Sequence, residues 1–307
     1  MYQVSGAGNR VIRPKSSTTS EQERREAEDL ALRYGALLSE ARRISANVIH
    51  GAHGRRRRGS GETFWEFRHA RDEDPAHTID WRRSARSDAL FVRETEWEAA
   101  NTIFLWRDSA DGMDWRSNPD LPSKQDRAGV LLAALGIALL KGGERCAVPG
   151  VSEKPGSGIG ATNRICHDIL TGTSVADQLV STDLRSQAHM VLASDFLEGA
   201  EVWKTRLLPI QRMGISVILL HIADPAEEEF PYTGHILFAE PGSADQIDLG
   251  RAQLVGPKYR ERFAAGREEI RQLARRNNWL FFSHRTDQYP AEVFLSLFQG
   301  ISNGHAP

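Results

Sequence analysis

Two cysteines, Cys146 and Cys166, in 307 residues leave this chain without a disulfide framework. Such sparse use suits a reducing compartment. No basic, then apolar, then small-residue opening marks a signal peptide. The longest apolar run, "AGVLLAALGIALL" from Ala128 to Leu140, falls short of the ~20 residues that a membrane span needs. It reads as a buried helix closed by Lys141, Gly142 and Gly143, since glycine ends helices. Neither sign of charge is in excess: 39 basic residues against 41 acidic ones give a net charge of −2, with no global pull toward nucleic acid or an anionic membrane. "PGSGIGATN" has no Gly-Lys-Ser/Thr ending of a phosphate loop, and Ser194 has no flanking glycines of a nucleophile elbow. The absences leave a soluble, cytoplasmic protein with no membrane span and no complete catalytic constellation.

What is present is ordinary globular material, 40% hydrophobic and 26% charged, long enough to bury roughly three quarters of its unfolded surface. Residues 1–19 are polar and read as a flexible N-terminus. Residues 20–100 read as an N-terminal helix with a small β extension. The helical pattern runs from Thr18 to His50, with Ser20 and Glu23 spaced as a capping box. "GAHGRRRRGSGE" is a glycine and arginine loop, and the aromatic and β-branched residues after it, broken by Asp-Pro, predict two or three strands. The arginines of Gly54–Gly59 are offset by Glu62, Glu66, Asp72, Glu73 and Asp74, so a solvated loop is favoured over a nucleic-acid site.

From residue 101 to 307 strands and helices alternate. "NTIFLW", "RCAVPG", "AHMVLASD", "GISVILLHI", "GHILFAE" and "NWLFFSH" read as strands; helices are predicted over Pro122–Lys141, "ATNRICHDILTG", Glu198–Arg212, Pro257–Asn277 and from Pro290. Such alternation predicts an α/β fold, a mainly parallel sheet with helices on both faces. Ligands of such sheets sit beyond the carboxyl ends of strands. Asp108, Asp195 and Asp224 all fall at such ends.

The stretch "FLWRDSADGMDW" places Asp108, Asp111 and Asp114 at intervals of three behind an apolar run. Together with "IDWRRSARSDALFVRETEWEA" (Ile79 to Ala99), "VLASDFLE" (Val191 to Glu198) and "ADPAEEEFPYTGHILF" (Ala223 to Phe238), it resembles the bacterial domain of unknown function 58 family. The residues carrying that resemblance outside the acidic motif are Asp80, Trp81, Arg82, Ser84, Arg86, Arg93, Asp224 and Pro225. The resemblance implies a von Willebrand factor A-like, Rossmann-type fold and association with MoxR-type AAA+ ATPases. It also implies a Mg²⁺ site: an Asp-x-Ser-x-Ser motif, a threonine from a second loop and an aspartate from a third. Carried over, the motif falls on Asp108-Ser109-Ala110-Asp111-Gly112, Thr162 stands as the second-loop counterpart, and Asp195 matches the last acid. Both later hydroxyl positions are gone, at Ala110 and Gly112, and Mg²⁺ wants near-octahedral oxygen.

Two readings follow. Either Asp108, Asp111, Thr162 and Asp195 hold Mg²⁺ with water filling in, or the site is degenerate, no cofactor is needed, and the carboxylates cap loops. The second is preferred. Around Asp80 the expectation is a buried Trp81 with Arg82, Arg83 and Arg86 charge-paired onto the core. His221 reads as a core histidine, Cys146 and Cys166 as small buried residues, and His167 beside Asp168 as no dyad. The function expected is a non-enzymatic protein-interaction protein, adaptor or chaperone-like, docking a MoxR-type AAA+ ATPase. The alternatives are a Mg²⁺-dependent ligand-binding domain and, behind it, a metal-dependent hydrolase.

Overall fold

The computed structural model describes residues 35–46, 63–70, 79–86, 89–96, 101–173, 176, 179, 184, 188–239 and 246–303. The N-terminal segment 1–19 and the glycine and arginine loop lie outside these residues. Of the expected first helix, residues 35–46 are described and helical, and are called α1.

Among the described residues the centre is a sheet of six strands, five of them built from expected apolar runs; the expected strand "GHILFAE" falls outside it. β3 (Thr102–Arg107), β6 (His189–Ser194) and β7 (Ser216–Ala223) lie side by side, with β10 (Leu280–Arg285) outside β7 and β4 (Arg145–Val148) on the other side of β3. All these neighbours are parallel; an outer strand, β5 (Ser152–Gly156), returns antiparallel to β4. Alternate residues of each inner strand feed opposite cores. Ile103, Leu105, Val191, Ala193, Ile218 and Leu220 pack on one face, Phe104, Trp106, Met190, Leu192, Val217 and Leu219 on the other. A strand covered on both sides reads as a continuous apolar run because neither half of its side chains meets water.

The first face is covered by α1, α3 (Lys124–Lys141), α4 (Gly158–Thr171) and α8 (Ala291–Asn303), the second by α5 (Ala200–Arg212) and α7 (Gly256–Arg276). α3 opens with Ser123 as its cap, the hydroxyl accepting from the Asp126 amide at 3.1 Å. It then runs under α4. A Cβ on Gly129 would stand 3.1 Å from Leu170, and one on Gly136 3.2 Å from Leu105 and 3.4 Å from Ile165, so glycine there lets the two helices lie close. Among the described residues, no helix is long and apolar enough to cross a membrane.

Two small pairs sit outside the main sheet. β1 (Thr63–His69) and β2 (Phe91–Glu96) form an antiparallel extension with the one-turn helix α2 (Trp81–Ser84) between them. β8 (Ile236–Ala239) pairs antiparallel with β9 (Gln246–Leu249), a hairpin apart from the parallel sheet, just beyond the short helix α6 (Pro225–Glu229). The chain leaves β3 toward β4 and later comes back to β6 on β3's other side. That makes the carboxyl ends of β3 and β6 the reversal point of the strand order, where α/β sheets place their sites.

Candidate functional site

The loops after β3, β6 and β7 meet over this edge, called the rim below. Asp108 follows β3 directly, and its amide donates to the Ala193 carbonyl at 2.9 Å. Its buried carboxylate accepts from the Ser194 hydroxyl at 2.7 Å and from the Ala110 amide at 3.0 Å. Burial pushes this carboxyl above the usual range; those two hydrogen bonds oppose the rise, and the negative charges of Asp195 and Glu198 add to it. Asp111 and Asp114 are exposed in a 3-10 turn, Asp111–Asp114, anchored by the fully buried Met113.

The rim holds a cation of the protein's own. Lys124, the first residue of α3, is 1% exposed and its ammonium donates to Asp195 Oδ2 at 2.8 Å and Glu227 Oε1 at 2.5 Å. The Trp115 ring centre lies 6.0 Å from the same nitrogen. Burial alone would lower the lysine's pKa; the charges of Asp195 and Glu227, with their hydrogen bonds, outweigh it and hold the ammonium above its ordinary value. Glu227 is pushed up by burial against the pull of Lys124. Its second oxygen accepts from the Asp224 amide at 2.9 Å, while Asp224 accepts from Ala226 at 2.8 Å, completing the capping box of α6, with Pro225 in its first turn. The other Asp224 oxygen accepts from the Ser117 amide at 3.0 Å. Charged groups in a desolvated network are stable only when each has such partners.

The structure does not bring Thr162 to this network. β5 runs antiparallel, so Gly156 pairs with Cys146, the second residue of β4. α4 therefore sets out from the far half of the sheet, and the hydroxyl of the half-buried Thr162 donates back to the Gly158 carbonyl at 3.2 Å. It is the other end of α4 that meets the rim, where Arg107 donates to the carbonyls of Leu170 at 3.3 Å and Gly172 at 2.7 Å. The threonines on that side are the exposed Thr171 and Thr173. A divalent ion fits these donors poorly. Positions 110 and 112 offer no side-chain oxygen, Asp195 is bonded to an ammonium, and among the described residues no three His, Cys, Asp or Glu side chains gather as a metal cluster.

In the β extension Trp81 is 59% exposed, not buried as expected. The reason is local. α2 is a single turn capped by Asp80, which accepts from the Arg83 amide at 2.9 Å, and the residue it buries is Ser84. That hydroxyl donates to the Asp80 carbonyl and accepts from the Phe91 amide, both at 2.9 Å, tying the turn to β2. Arg82 and Arg86 are exposed too, Arg83 lies over the Phe91 ring, and Arg93 is the third residue of β2. His221 is a core residue, its Nδ1 3.0 Å from the Ser283 hydroxyl; burial, with help from Arg267, pushes its pKa down to about 3. Both cysteines are free and buried, and burial pushes the Cys166 thiol up to about 11.

Residues 66–272 match the family described as "Protein of unknown function DUF58". The chain belongs to this family. No curated protein matches it. Among solved structures it is similar to a conserved hypothetical protein BatB from Bacteroides thetaiotaomicron, at 12% identity and a TM-score of 0.38, with 66% of this chain and 98% of that one covered. It is similar also to an aerotolerance-related membrane protein from Bacteroides fragilis carrying multiple mutations to serines, at 13% identity and a TM-score of 0.38, with 66% and 100% covered. In this DUF58 chain the site residues that sequence reasoning missed are Lys124 and Glu227. The one local signal was a lysine directly behind a helix cap, in "PSKQD", where an acid is the favoured residue.

Proposed function

We propose that this DUF58 protein is a non-enzymatic protein-interaction module, a von Willebrand A-like domain whose rim docks a protein partner in the cytoplasm. The observation that carries the reading is that the buried and half-buried rim acids Asp108, Asp195, Asp224 and Glu227 are all bonded to groups of the chain itself. A general acid, a base or a metal ligand must offer an atom to substrate or ion; these carboxylates hold loops in place. The same edge of the sheet exposes apolar side chains, Leu197 beyond Asp195 at 56% and Val151 in the turn after β4, beside Gly172. Apolar anchors on a rigid, polar-rimmed surface are what a protein partner recognises. The family resemblance makes a MoxR-type AAA+ ATPase the partner.

The test is binding of the purified chain to the MoxR-type ATPase of its own host, with Leu197→Asp and Val151→Asp as rim variants. Saturable binding weakened about tenfold or more (about 1.4 kcal/mol) by either substitution, at unchanged thermal stability, is the expected result. Failure to bind any such ATPase removes that partner. Hydrolysis of a phosphoester or nucleotide panel that disappears in Asp195→Asn would make the protein an enzyme.

A further inference from the structure

Lys124 is the wrong residue for its place by every local rule. It is the first residue of an 18-residue helix, where the aligned peptide dipoles favour a negative charge and disfavour a positive one. It is also one of the most deeply buried side chains in the protein, and lysine is almost never fully buried unless paired. A breach of two local preferences at one position needs a compensating gain, and such breaches concentrate at functional sites. The gain here is the pair of carboxylates that meet at the ammonium. Asp195 comes from the loop after β6 and Glu227 from the helix after β7, so one nitrogen ties two adjacent strand ends to the start of α3.

Position 112 completes the picture. An added Cβ on Gly112 would stand 3.6 Å from Asp195 Oδ2, the same oxygen that accepts the hydrogen bond of the Lys124 ammonium. This is the last hydroxyl position of an Asp-x-Ser-x-Ser motif, and in this chain it is bare. Two of the oxygen donors that would surround a divalent ion are thus missing from the β3 loop, while α3 supplies a cation.

We propose that the Lys124 ammonium is the resident cation of the rim: it bridges the loops after β6 and β7 as a divalent ion would, and it closes that place to Mg²⁺ and Mn²⁺. Its single charge lies between two carboxylates and lets the rim keep its shape whatever the metal supply.

Calorimetry and thermal unfolding of the full chain, each with Mg²⁺ or Mn²⁺ alone added, test this. The wild type is expected to give no saturable heat and no metal-dependent rise in Tm. Lys124→Met is expected to lower Tm by several degrees. Lys124→Arg, which keeps the charge, should recover part of that loss. Ala110→Ser with Gly112→Ser should gain a Mn²⁺-dependent rise in Tm in the Lys124→Met background and none when Lys124 is present. If Lys124→Met does not fold but Lys124→Arg does, the need for a cation is upheld. Saturable metal binding by the wild type that Asp195→Asn abolishes would overturn the proposal. So would a Lys124→Met protein as stable as the wild type, or failure of both single variants to fold, since the shape of lysine and not its charge would then hold the rim. Absence of any metal response in the triple variant would overturn the claim that the ammonium excludes the ion.

Discussion

Helices α3 and α7 are similar in length and opposite in character. α3 buries 16 of its 18 residues, including Lys124, Asp126 and Arg127; α7 buries four of 21, Gly256, Ile270, Leu273 and Ala274. The difference lies in what covers them. α3 has the sheet beneath it and α1, α4 and α8 against its other sides, so it is apolar nearly all round. α7 rests one stripe on the sheet and turns the rest outward, where Arg271 and Arg275 reach Glu268 on the helix's own surface. Charged residues consequently mean different things on the two. On α7 they solvate a face. On α3 the buried ones must find partners inside the protein, as Lys124 does with Asp195 and Glu227, and as Arg127 does with Glu40 at 3.0 Å and the Thr286 carbonyl at 3.1 Å.

That contrast can be broken at several levels. The largest effect is expected from Lys124→Met, which leaves two carboxylates facing each other without a counter-charge; loss of about 3–5 kcal/mol is typical of such a breach, read by denaturant unfolding. Leu135→Ala, in the middle of α3, should cost about 2–5 kcal/mol through the cavity it leaves, with the denaturant slope unchanged. A smaller, graded effect comes from pH. Each face of the sheet buries a neutral histidine, His221 on the α7 side and His284 near Arg127, pushed down by burial to about 3 and about 4. The unfolded chain takes up these protons near pH 6.5 and the folded chain does not. Stability should therefore be complete above pH 6.5 and fall below it, by about 1.4 kcal/mol per pH unit for each histidine. His221→Gln should flatten the slope between pH 6 and the onset of acid unfolding. The smallest effect belongs to α7: Arg275→Ala should leave the unfolding midpoint where it is, because an exposed pair 3.9 Å apart is screened by water.

The strand ends were legible because each apolar run stops at an acid: "FLWRD", "VLASD" and "LLHIAD" mark Asp108, Asp195 and Asp224 without any structure. α3 was legible for the same reason, its apolar run being too long for a half-exposed element. What escaped was set by long-range geometry. Lys124 meets its partners 71 and 103 positions away, and no local spacing encodes that. Thr162 was misplaced because β5, "SEKPG", has neither the alternation nor the β-branched residues of a strand. Without that reversal α4 seems to start at the rim, when in fact it ends there. Helix α4 also begins at Gly158, three residues ahead of the expected Ala161. Trp81 was expected inside as an aromatic among charge-paired arginines, but a helix of one turn has room to bury a single side chain, which is Ser84.

The same short strand β5 governs how the sheet terminates. As the outermost member it offers its free side to any other extended segment, yet its fourth residue is Pro155, which has no amide proton to give, and Lys154 beside it is exposed. Proline and lysine on an outer strand are the usual means of refusing a further strand. Pro155 and Lys154 thus make that flank a poor template for a further strand, whether from this chain or from another copy.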